Sequence, residues 1–208
     1  MENLYAPESF ILMQNGRAAK TKDLLSSNDH FLPLYTHSNK DSAHIIFQCP
    51  SDNGTYEIAR ISAENGIQYA VLTHRLLADK PQIEYQLSAL QEESGDLCGE
   101  LDSLRSLFGS IISETHDVDR LIHTLYSKNP FYYNKGRLLN SQEKLISEYS
   151  YMEDKDFEIG LTKEKSYTAN SSCIFEIGRW TSGAYTGTYV LMWIKEDAEW
   201  KILFDSNY

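Results

Sequence analysis

Nine side chains in the second half of this 208-residue chain are of types that could do chemistry: Asp205, His123, Tyr133, Tyr149, Tyr151, Arg179, Trp180, Tyr189 and Trp193. Asp205 stands near the end of an apolar run, "EWKILFDSN". A carboxyl drawn into apolar surroundings titrates upward toward neutrality, where it can take a proton from a carbon next to a carbonyl. His123, within "HDVDRLIHTLYS", is the other candidate base. Tyr133, Tyr149 and Tyr151 offer phenolic donors, Arg179 a grip on an anion, and Trp180, Tyr189 and Trp193 flat aromatic walls. Each has a plain structural alternative. A helix histidine often sits at the surface, tyrosines and tryptophans often fill a core, and Arg179 and Asp205 can pair across neighbouring strands.

Other chemistry is absent from the sequence. There is no GxSxG, no HExxH, no paired-carboxylate spacing and no glycine-rich loop opening a helix. "GRWTSGAYTG" holds three glycines, but it lies between strands, with no helix start to cradle a phosphate. Cys49, Cys98 and Cys173 are scattered and odd in number, so they read as free thiols, and neither a metal nor a cofactor is expected. A net charge of −11 argues against nucleic acid and against an anionic membrane surface. No run approaches the length of a membrane span and the first residues lack a secretory core, so a cytoplasmic protein is expected.

The elements that must position these residues follow from periodicity. Residues 9–77 read as β-rich: a strand and turn in "FILMQNGR", a short helix opening at Thr21 or Asp23, a strand "AHIIFQCP" stopped by Pro50, and a hairpin with arms Thr55–Ser62 and Ile67–Thr73. Ile83, Leu87, Leu90, Ser94, Leu97, Leu101, Leu104, Phe108 and Ile111 recur at alternating steps of four and three, which predicts one long helix over residues 82–113. It either packs on a sheet or forms a coiled-coil seam to a second chain. A second helix is expected in "THDVDRLIHTLYS", capped by Thr115 or Asp117, and a third in "NSQEKLISEYSYM", capped by Asn140 or Ser141. A strand lies between them, and four strands follow to the end. This order predicts an α+β fold with helices on one face of an antiparallel sheet.

The order and the residues that fill it resemble the SnoaL-like branch of the nuclear-transport-factor-2-like (NTF2-like) superfamily. The resemblance rests on "HDVDRLIHTLYS", "NKGRLLNSQEKLI" and the tail "GRWTSGAYTGTYVLMWIKEDAEWKILFDSN", and covers about residues 97–208. It implies a cone-shaped, cystatin-like curved sheet wrapped on a helix, with a pocket at the open end. Two domains are expected: a β-rich segment over residues 1–80, and a SnoaL-like domain over 81–208 that includes the long helix. The first can be a truncated second copy. "NGTYEIARISAENGIQYAVLTH" aligns without gaps on "TGTYVLMWIKEDAEWKILFDSN", and "NGRAAKTKDLL" echoes "KGRLLNSQEKL". Such a copy would lack its two opening helices and about one strand.

No acid–tyrosine pair of the ketosteroid-isomerase kind and no histidine–aspartate dyad can be placed. Three functions therefore stand: a non-catalytic binder of a small apolar or amphipathic molecule, a protein–protein assembly module using a sheet face or the helix seam, and an isomerase, cyclase or dehydratase with Asp205 or His123 as base. Along the last strands, Tyr189, Leu191 and Trp193 share one face, and Trp200, Ile202 and Phe204 are expected to share one face opposite to Asp205. Both faces are apolar, so a homodimer or the N-terminal segment is expected to cover the outer one.

Overall fold

The computed structural model describes residues 5–21, 23, 43–51, 54–63, 66–77, 80–90 and 96–207. The chain divides into two compact units, Met1–Glu92 and Glu93–Tyr208. The fold is mixed α+β with curved sheets.

The C-terminal unit opens with a 3-10 turn, Cys98–Leu101, which runs into helix α1, Asp102–Ser110. Helix α2, Val118–Leu125, begins where the Asp117 side chain accepts a hydrogen bond from the Arg120 amide. Its stripe Val118, Leu121, Ile122 and Leu125 is buried, as the spacing predicts. Strands β7 (Tyr126–Asn134) and β8 (Arg137–Leu139) form a hairpin, and helix α3 (Gln142–Tyr149) starts at Ser141, which accepts from the Lys144 amide. Strands β9 (Gly160–Asn170), β10 (Cys173–Ser182), β11 (Tyr185–Glu196) and β12 (Glu199–Asn207) complete the sheet in the order β8-β7-β12-β11-β10-β9. All pairings are antiparallel except β12 with β7, which is parallel. Helix residues Phe108, Ile112, Leu121 and Leu125 pack with Leu191, Trp193, Trp200 and Ile202 in one core.

A bulge decides where Asp205 points. The β11–β12 register shifts between Met192 and Trp193, which face Phe204 and Ile202 respectively. Leu203 is the extra residue, so strict alternation fails there. Trp200 and Ile202 lie in the helix-facing core, and Asp205 shares their side rather than the opposite one expected from alternation.

The N-terminal unit is a sheet of β1 (Tyr5–Met13), β2 (Ala18–Lys20), β3 (Ala43–Ser51), β4 (Gly54–Ala63), β5 (Gly66–Leu77) and β6 (Lys80–Leu90), ordered β2-β1-β6-β5-β4-β3. Again the one parallel pair is the last strand with the first. Pro50 does not stop β3. It pairs with Thr55 at the end of an edge strand, where the missing N–H is tolerated. Thr21 and Asp23 are helical; the rest of that expected helix lies outside the described residues.

The long helix expected over residues 82–113 is corrected. Residues Lys80–Leu90 form β6, and only Cys98–Ser110 are helical before a π turn at Ile111–Thr115. A step of four is even, so the spacing of Ile83 and Leu87 suits an unbroken strand as well as a helix, although the register shift opposite Thr73/His74 sets the two on opposite sides of β6. Burial of the residues between them, Glu84 and Gln86 included, belongs to a strand covered on both faces. The coiled-coil seam through residues 83–111 goes with it. The first unit is also a full six-stranded sheet, not one short of a strand.

Candidate functional site

The parallel pairing of β12 with β7 sets Asp205 beside Tyr132, and α2 delivers Tyr126 at the start of β7. The Tyr126 hydroxyl donates to Asp205 Oδ2 at 2.6 Å. Tyr149, at the end of α3, donates to the same oxygen at 2.5 Å and accepts from Asn207 Nδ2 at 3.1 Å. Asp205 is 3% exposed, and its other oxygen, Oδ1, has no hydrogen-bond partner among the described residues. Burial pushes the Asp205 carboxyl up to about 6, with the Tyr126 and Tyr149 hydroxyls pulling the other way. Burial, reinforced by the charge of Asp205, holds the Tyr126 and Tyr149 hydroxyls well above their ordinary range, so they remain donors.

Asp205 lies in the wall of a cavity of about 200 Å³. Phe108, Leu161 and Leu191 give it an apolar side, and Tyr132, Tyr151, Phe157 and Trp180 an aromatic one. Tyr151 packs edge-on against both Tyr149 and Phe157. Two further polar atoms of lining residues are buried without hydrogen-bond partners among the described residues: Asn134 Oδ1 and Trp180 Nε1. Asn134 Nδ2 is spent on the Tyr132 hydroxyl at 3.3 Å. Lys135, in the exposed turn after β7, also lines the cavity.

A second buried network holds one wall in place. The Tyr189 hydroxyl donates to Glu176 Oε1 at 2.8 Å, and Arg105 donates to Glu176 Oε2 at 2.5 Å and to Asp102. Burial raises the Glu176 carboxyl against the pull of Arg105. The Tyr189 ring lies across Gly178, where an added Cβ would come within 2.4 Å of the ring and of the Thr162 carbonyl. Glycine is required there for close approach rather than for backbone angle.

Five of the residues proposed from sequence line the cavity: Asp205, Tyr149, Tyr151, Trp180 and Tyr189. Trp193 shares the helix-facing side of β11 but is buried in the core below. Tyr133 is one residue out of phase; Tyr132 and Asn134 hold the lining positions on β7. His123 is on the outer side of α2, its side chain 55% exposed and 3.5 Å from Asp119, so it is not a base for this cavity. Arg179 does not pair with Asp205: β10 sets it opposite Thr188, and its Nε donates to Glu164 at 2.5 Å. The acid–tyrosine cluster that could not be placed from sequence exists, as Asp205 with Tyr126 and Tyr149. The parallel β7–β12 pairing brings Tyr126 and α3 brings Tyr149, and contacts between elements so distant in sequence leave no local signal. Among the described residues no cluster suited to a metal occurs, and no helix is long and apolar enough to cross a membrane.

No protein-family model matches the chain, and no curated protein matches it by sequence. Solved structures match in fold. An NTF2-like protein of unknown function from Shewanella oneidensis is 18% identical, with a TM-score of 0.48, covering 53% of this chain and 97% of that one. A putative calcium/calmodulin-dependent protein kinase II association domain from Xanthomonas campestris is 12% identical, with a TM-score of 0.46, covering 58% and 93%. A cystatin-like domain of unknown function from Nostoc punctiforme is 12% identical, with a TM-score of 0.43, covering 54% and 78%. The likeness is to NTF2-like and cystatin-like folds and spans about half of this chain.

Proposed function

We propose that the C-terminal unit is a SnoaL-like binding module that takes a small amphipathic molecule into the Asp205 cavity. One observation carries this reading: Asp205 is buried with one oxygen accepting hydrogen bonds from two tyrosines and the other left open in the wall of a cavity with apolar and aromatic sides. Burying a carboxylate oxygen without a partner costs stability, and a fold that retains one has a use for it. The aromatic lining supplies the apolar contact, and the open oxygen supplies orientation. The test is titration with 2-phenylethanol followed by amide NMR. Shifts confined to Tyr132, Asn134, Trp180, Leu191, Asp205 and their neighbours support the reading, and amides left unmoved by 2-phenylethanol and by its amine and carboxylate counterparts alike defeat it.

The N-terminal unit reads as a second copy of the same sheet. A constant offset carries Gly54 onto Cys173, Gly66 onto Tyr185 and Lys80 onto Glu199, the first residues of three strands in each unit. At that offset two register shifts recur. The shift at Thr73/His74 meets the one at Met192/Trp193, and the β4 shift at Ile58/Ala59 meets the β10 shift at Ile177/Gly178. The gap between Tyr5 and Phe10 in β1 is repeated between Tyr126 and Phe131 in β7. This pairs β4 with β10, whereas the ungapped sequence alignment slid it one strand on, to β11. Superposition of β4 on β11 with the sheet order kept would overturn the repeat.

A further inference from the structure

The geometry points to the kind of molecule that fills the Asp205 cavity: a small aromatic or cyclic body bearing a protonated amine. This deepens the binding reading above and rests on it. The lining has a specific unmet demand. Asp205 Oδ1 and Asn134 Oδ1 are acceptors, buried and unpartnered, and Trp180 Nε1 is the matching unmet donor. A molecule that satisfies the two acceptors must bring N–H or O–H donors to them, and an ammonium group brings three. The tyrosine hydroxyls near Asp205, on Tyr126 and Tyr149, are already committed to Oδ2, so neither is available to satisfy Oδ1.

Charge points the same way. Among the described lining residues, the ionisable groups are Asp205, the tyrosines Tyr132, Tyr149, Tyr151 and Tyr189, and Lys135. Burial keeps Tyr132 and Tyr151 protonated, the latter with its hydroxyl pushed up to about 12. The interior therefore offers one negative charge and no positive one, since Lys135 is on the exposed turn. Aromatic faces attract a cation through their quadrupole, and Tyr132, Tyr151, Phe157 and Trp180 provide such faces. An anionic ligand would meet the unpaired Asp205 oxygen, against Trp180 Nε1 inside the cavity and Lys135 at its exposed turn. A volume of about 200 Å³ limits the body to roughly one ring and its side chain.

The experiment is a calorimetric titration of the whole chain with three matched probes: 2-phenylethylamine, 2-phenylethanol and phenylacetate. The amine is expected to bind about tenfold more tightly than the alcohol, and phenylacetate least. Asp205→Asn should erase the preference for the amine over the alcohol. Amine affinity should also fall as pH is lowered through about 6, where Asp205 takes up its proton. Alcohol or phenylacetate binding as well as or better than the amine overturns the cation and leaves the binding module standing, as does a preference that survives Asp205→Asn. Failure of all three probes to bind to the folded wild-type chain overturns both.

Discussion

Tyr5 and Tyr126 occupy the same place in the two units, and each donates its hydroxyl to a residue on the last strand of its own sheet. In the C-terminal unit the acceptor is Asp205, at 2.6 Å; in the N-terminal unit it is Gln86, at 2.9 Å. Gln86 then spends its amide nitrogen on Ser88 at 2.8 Å, so the side chain is satisfied by its own sheet. Asp205 leaves an oxygen open. The side chains around them differ to match. Ala59 and Ala70 pack with Ile83 and Tyr5 where Gly178, Tyr189, Ile202 and Tyr126 stand in the other unit. The difference teaches that this sheet order does not need an acid at this one position. Where an amide replaces it the polar contacts close, and where the acid remains they stay open toward a cavity.

The predictions follow from this contrast, largest effect first. Glu176 rests on the Arg105 guanidinium, whereas its counterpart Glu57 accepts from the Gln48 amide at 2.8 Å. Arg105→Met strips a buried carboxylate of its cation and should cost about 3–5 kcal/mol in urea denaturation. A loss under about 1 kcal/mol would mean that Glu176 is held by Tyr189 alone. Gly178→Ala should cost about 3 kcal/mol, because the new methyl meets Tyr189 and the Thr162 carbonyl. Adding Tyr189→Ala, which copies the Ala59–Ala70 pair, should recover part of that loss; no recovery would place the conflict entirely at Thr162.

Asp205→Asn should stabilise the protein at pH 7 by on the order of 2–3 kcal/mol. The sign follows from its raised carboxyl. The folded chain holds this proton more tightly than the unfolded chain, so the stabilisation is complete below about 4 and is lost as pH rises through about 6. The gain from asparagine should therefore shrink toward zero near pH 4, and equal stability of the two proteins at both pH values would refute it. Gln86→Glu is the mirror experiment. It installs an acid at a position 1% exposed and should destabilise at pH 7 by a comparable ~2 kcal/mol, recovering as pH falls. The smallest effect lies away from the site. Asp197 and Ala198 join β11 to β12 with φ of 52° and 69°, a geometry that favours glycine at the second position. Ala198→Gly should raise stability by about 1 kcal/mol in thermal melts and leave probe binding untouched.

Much of the C-terminal fold was legible because its signals are local. The Val118–Leu125 stripe, the Asp117 and Ser141 caps and the alternation in β11 all act within a few residues. The site was half legible for the same reason. Asp205, Tyr149 and Trp180 stand out by type and place. Tyr126, Tyr132 and Asn134 join them through a parallel pair of strands distant in sequence. The phase of β12 was hidden by the bulge at Leu203, which moves Asp205 to the helix-facing side. Strand β6 was hidden by spacings that suit two periods at once, and by burial of both its faces.

The account turns on Asp205 being a buried acid with one oxygen held for a ligand. A carbon-13 NMR titration of its side-chain carboxyl in the whole chain tests this most directly. The predicted midpoint is about 6 in the free protein, moving downward when 2-phenylethylamine saturates the cavity. A midpoint at the ordinary aspartate value near 4, unmoved by the amine, would contradict it.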